Sequence, residues 1–134
     1  MNGFKYLPAD YAEHIAAIVC SGKYIKPTGS RVTESGWDPK RSDFDFVVLD
    51  QDKSLAHALE RNIEWYQGGS GNGTEFTSYK YKDSLNLILV DSKEIFNKYV
   101  AATECIKALN CKTKEERIKV FDSIFGKTSE VLPF

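Results

Sequence analysis

One heptapeptide, Asp43-Phe44-Asp45-Phe46-Val47-Val48-Leu49, constrains the fold of this chain more than any other stretch. Acid and aromatic residues alternate at its start, the period of an extended strand, and Val47-Val48-Leu49 continue it with residues that favour strands. A strand this apolar needs covering, and the flanking sequence supplies the cover as helices. The spacing of Tyr11, Ile15, Ile18 and Val19 predicts a helix over Ala9 to Cys20, opened by Pro8 and closed by Ser21-Gly22. A short extended piece, Lys23 to Thr28, follows and runs into Gly29-Ser30. The polar stretch Arg31 to Ser42, with Gly36 and Pro39, reads as a loop.

After the strand, Leu55, Leu59, Ile63 and Tyr66 recur at helical spacing and predict a helix over Lys53 to Tyr66. The run Gly68 to Gly73 holds four glycines in six residues and is expected to form a flexible loop without regular structure. Two strands follow, Glu75 to Tyr81 and Leu85 to Val90, joined as a hairpin through Lys82-Asp83-Ser84. The C-terminal third is helical: Lys93 to Leu109 carries an apolar stripe, and Thr113 with Glu116 forms a capping box for a last helix that ends at Gly126. The resulting order implies a small α/β (α+β) fold, a small mixed β-sheet covered by helices, in a single domain over residues 1–134 with a core at about 9–110.

Composition agrees with one compact domain. The chain has 134 residues, 42% hydrophobic and 28% charged, with a formal net charge of -1. A length of this order buries enough surface for one core without metal or disulfide support. Near-neutral charge argues against a DNA-coating or membrane-surface protein, and no apolar run approaches the roughly 18 residues of a membrane span. The N-terminus shows no signal-peptide pattern. Cys20, Cys105 and Cys111 have neither disulfide-framework nor metal-knuckle spacing and are expected to be small buried groups in a reducing cytoplasm.

The chemistry is concentrated in Gly29-Ser30-Arg31 and Asp43-Phe44-Asp45. Alternation puts Asp43 and Asp45 on one face of their strand, their Cα atoms roughly 6.5–7 Å apart. Two such carboxylates repel unless something positive lies between them, and a hard cation such as Mg²⁺ suits carboxylate and phosphate oxygens. Gly29 allows close backbone approach, while Ser30 adds a hydroxyl and an N–H, the parts of a phosphate cradle. Either feature alone is commonly a turn or a solvated face. In this order and spacing they point to metal-assisted phosphoryl or nucleotidyl transfer.

Together, Gly29-Ser30 and Asp43 to Leu49 resemble the signature of the DNA polymerase beta-like nucleotidyltransferase superfamily. From Asn86 into the helix at Lys93, the chain is also similar to small nucleotidyltransferase-like proteins of tailed bacteriophages, which implies a host-cytoplasm location. The resemblance implies that Gly29 and Ser30 hold a nucleoside triphosphate and that Asp43 and Asp45 ligate Mg²⁺; Arg31, directly after Gly-Ser, would either contact a phosphate or be a surface arginine of the loop. A third acid would assist from a neighbouring strand; this sequence has Asn86 there, and an amide can neither carry the charge nor take the proton.

Two classes of function therefore stand side by side. One is a Mg²⁺-dependent nucleotidyltransferase that moves a nucleoside monophosphate from a triphosphate to a hydroxyl of a protein or RNA acceptor, with Asp43, Asp45 and Asn86 at its centre. The other is a degenerate relative that binds: a nucleotide sensor, an inhibitor of a host protein or an antitoxin-like partner. Lys23, Lys26, Lys40 and Arg41, with Lys80 and Lys82 on the hairpin, are candidates for a positive rim. Trp37 would stack on a base or pin its loop to the core, and the lone His14 and His57 read as structural.

Overall fold

The computed structural model describes residues 3–71 and 76–126. Five strands form one mixed sheet in the order β1-β2-β5-β4-β3, with β1 at Ile25–Thr28, β2 at Phe44–Leu49, β3 at Trp65–Gly71, β4 at Phe76–Tyr81 and β5 at Leu85–Val90. β2 runs parallel to β5; the other pairings are antiparallel. Helices α1 (Ala9–Cys20) and α2 (Ser54–Glu60) cover one face of the sheet, and α3 (Lys93–Leu109) and α4 (Lys114–Phe125) cover the other.

The alternation in β2 divides the core. Phe44, Phe46 and Val48 join Tyr11, Ile18, Leu59 and the aliphatic residues Leu85, Leu87 and Leu89 on the α1/α2 face. Val47 and Leu49 join Ile88, Val90, Phe96, Tyr99, Ile106 and Phe121 on the α3/α4 face. All six residues of β2 and all six of β5 are buried, as expected for central strands with helices on both sides. No helix among the described residues is long and apolar enough to cross a membrane.

Helix α1, strand β5 and helix α3 have the bounds that the apolar spacing predicts. The Thr113–Glu116 capping box is present in both directions, and α4 ends against Gly126 at φ +84. Strand β2 starts one residue later than expected, at Phe44, which leaves Asp43 at its threshold.

The segment after α2 departs from the expectation. The helix stops at Glu60, where Asn62 builds a turn by accepting the Glu64 N–H on its side chain, and the chain enters β3 at Trp65. Ile63, placed by its spacing on the apolar face, is 99% exposed, whereas Trp65 is buried and Tyr66 turns outward. Strand alternation thus overrides a helical period that Leu55, Leu59, Ile63 and Tyr66 happen to satisfy.

Gly68 to Gly71, expected in a loop, lie in β3, which among the described residues is an edge strand pairing only with β4. A Cβ at Gly68 would press on Ser78 Oγ at 3.0 Å, so the lack of a side chain lets this edge close on β4. Gly73, and Glu75 at the expected start of the next strand, lie outside the described residues. Of the cysteines, only Cys111 is buried; Cys20 and Cys105 are exposed because they lie off the packed faces of α1 and α3.

Candidate functional site

One polar row crosses the sheet on the α3/α4 face. Thr28 of β1 stands opposite Asp45 of β2, Asp45 opposite Asn86 of β5, and Asn86 opposite Lys80 of β4. The row lies at the N-terminal ends of the parallel strands β2 and β5, directly before the apolar row of Val47 and Ile88. Asp43, just before β2, shares this face, so the structure gathers Asp43, Asp45 and Asn86 as the alternation predicts.

Their chemical state differs from the expected one. Asn86 Nδ2 donates to Asp45 Oδ1 at 2.9 Å, and both residues are buried. This amide orientation follows from the acceptor-only character of a carboxylate. Lys80 Nζ donates to Asp43 Oδ2 at 2.9 Å in an ion pair whose two side chains are about a quarter exposed. Burial pushes the Asp45 carboxyl up to about 7; the Asn86 hydrogen bond opposes this, Asp43 adds to it, and Lys80 and Arg117 oppose it. Thr28 completes the row by pairing its hydroxyl with that of Thr103 on α3, at 2.7 Å.

Gly29 is needed, for a reason the sequence did not reveal. It adopts φ +81, and a Cβ there would overlap the Asp45 carboxylate. The group that approaches the Gly29 backbone is therefore Asp45 itself, in place of the expected phosphate. Ser30 begins a 3-10 turn, Ser30–Val32, and its carbonyl accepts from Thr33.

Arg31 corrects the expectation of a phosphate contact. It is 1% exposed, its Nε and Nη2 donate to the Ser42 carbonyl, Nη1 donates to Gly3, and Nη2 also reaches Asp38 and Pro39. Its guanidinium lies 3.8 Å from the Phe44 ring centroid. Arg31 thus gathers the loop before β2. Trp37 pins that loop, donating Nε1–H to the Thr33 carbonyl at 2.8 Å with its ring beside Arg31.

The proposed basic rim divides. Lys40, Arg41 and Lys26 are exposed. Lys23 belongs to the opposite end of the sheet, where it pairs with Asp50 and Asp52, and Lys82 pairs with Asp10 at 2.6 Å. His14 packs its ring on Trp65 and Tyr81.

Two features escaped sequence reasoning. Arg117 of α4 is buried and its charge acts on Asp45, more than 70 positions away in sequence, and nothing in its local pattern signals that role. A cavity of about 290 Å³ lies where β2 and β5 end, walled by Asp50, Lys53, His57, Glu60 and Asp91 among others. Its acids are already partnered in part: Asp50 binds Lys23 and two N–H groups of α2, and Glu60 accepts from the Tyr79 hydroxyl.

These donors do not fit Mg²⁺. The ion favours six oxygen ligands in octahedral array. Here Asp43 faces an ammonium, Asp45 faces an amide N–H and a glycine backbone, and no group of three or more His, Cys, Asp or Glu residues among the described residues is placed to hold a metal. The charged groups acting on Asp45 are Asp43 against Lys80 and Arg117, so with Asp45 protonated the cations exceed the carboxylates by one. Such a balance suits an anion better than a cation. The chain matches no protein-family model, no curated protein and no solved structure.

Proposed function

We propose that the protein is a nucleotidyltransferase-like module that binds a nucleotide without metal, as a sensor, and does not transfer it. The observation that carries this reading is the Asn86 amide donating to Asp45 at the position where a third acid would assist transfer. Lys80 neutralises Asp43, and burial keeps the proton on Asp45 up to about pH 7 while the Asn86 amide occupies its oxygen. The excess of positive charge then favours the phosphates of a nucleotide directly.

Calorimetric titration with each nucleoside triphosphate, in EDTA and in Mg²⁺, tests the reading. Binding in EDTA that Mg²⁺ does not strengthen is the expected result. Binding that appears only with Mg²⁺, or label transfer from the triphosphate to a protein or RNA acceptor, would restore the metal-assisted transferase. No binding under either condition would point to recognition of a protein partner.

A further inference from the structure

We propose that Arg117 of α4 is the anchor for a terminal phosphate group in this site. The inference rests on the metal-free nucleotide-binding reading and adds a residue to it. Arg117 is 8% exposed, yet its side chain makes no hydrogen bond among the described residues, and its Nε is buried without a partner. The same protein shows how it treats a structural arginine: Arg31, also buried, places Nε, Nη1 and Nη2 on backbone carbonyls. A buried guanidinium N–H without a partner is costly, and the donors of a planar fork match a phosphate bidentately.

Local structure fixes the helix that carries Arg117. The Thr113 capping box fixes the start of α4, and Phe121, one helical turn beyond Arg117 on the same face, locks the helix against Tyr99 with ring centroids 5.4 Å apart. The charged or ionisable groups facing Arg117 are Asp45, Cys111 and Glu116. Glu116 is occupied by the N–H groups of Lys112 and Thr113, and Asp45 takes the Asn86 amide without forming an ion pair to Arg117 among the described residues. Lys80, about a quarter exposed, and Arg117 both act on Asp45 and would share the charge of a phosphate bound there.

The test titrates pyrophosphate, in EDTA at pH 7, into the full chain and into Arg117→Gln and Arg117→Lys. Affinity is expected to fall at least about tenfold in Arg117→Gln and by less in Arg117→Lys, which keeps the charge but loses the fork. Wild-type binding with unchanged affinity in Arg117→Gln would overturn the anchor and leave the nucleotide-binding reading intact. If the wild type binds neither pyrophosphate nor a triphosphate in EDTA, that reading fails and the anchor with it. Should Arg117→Gln not fold, the Arg117 ¹⁵Nε resonance of the wild type decides. It is expected to move on saturation with pyrophosphate, and a resonance that stays fixed while ligand binds would overturn the assignment.

Discussion

Replacing Asp45 by Asn should stabilise the protein at alkaline pH and cost it roughly 1–2 kcal/mol in acid. In the folded state burial raises the Asp45 carboxyl from 3.8 to about 7. Below pH 4 both folded and unfolded states hold the proton, and the group contributes no pH dependence. Between pH 4 and 7 only the unfolded state ionises, so stability falls as pH rises, by about 1.4 kcal/mol per unit. Above 7 both states are ionised and the loss levels off at about 4 kcal/mol.

In Asp45→Asn the introduced carbonyl accepts the Asn86 N–H as the carboxylate does, but the introduced NH₂ must find an acceptor, at roughly 1–2 kcal/mol. That cost is the same at every pH and cancels when two pH values are compared. The change in stability on substitution should therefore be about 3 kcal/mol more favourable at pH 8.5 than at pH 4.5. Urea unfolding of both proteins at the two pH values reads this as a difference in midpoint shift on the order of 1–2 M. A substitution effect that does not vary with pH would overturn this account of the row, because it would mean that Asp45 ionises in the fold as it does in water.

Two further substitutions probe the same row. Asn86→Asp removes the donor to Asp45 and sets a second carboxylate against it, so stability at pH 8 should drop by roughly 3 kcal/mol; thermal melts should show that Mg²⁺ adds nothing to whatever stabilisation a triphosphate gives in EDTA, and a substantial gain from Mg²⁺ would show a metal site latent in the fold. Gly29→Ala forces a side chain into φ +81 and onto the Asp45 carboxylate; a loss of about 2 kcal/mol or more is expected in urea unfolding, and a neutral result would mean that Asp45 moves freely away from the Gly29 backbone.

The fold was largely legible because its central elements obey a single period. In β2 and β5 the alternation, the β-branched residues and the apolar flanks agree, and α1 and α3 carry apolar stripes closed by recognisable caps. Trp65 shows where this fails. Its neighbours satisfy a helical spacing and a strand alternation at once, and only pairing with Tyr81 across β4 selects the strand. Gly68 to Gly71 mislead for a related reason, since local conformational freedom says nothing about a partner strand that orders them.

The site was legible in position and illegible in chemistry, and the reason is physical. Strand alternation and parallel register place Asp43, Asp45 and Asn86 together whatever their charge states, so the sequence motif predicts proximity. Charge state depends on what comes from elsewhere in the chain: Lys80 from β4, Arg117 from α4 and the Gly29 backbone from the end of β1. A pair of carboxylates invites a cation, but these three contributions change the invitation. Lys80 occupies the place of one positive charge, Arg117 acts on Asp45 without bonding it, and the Gly29 backbone lies against the Asp45 carboxylate. Burial, against the pull of Lys80 and Arg117, keeps the proton on Asp45 up to about pH 7, which turns an expected metal ligand into a neutral hydrogen-bonding group at the foot of a site with spare positive charge.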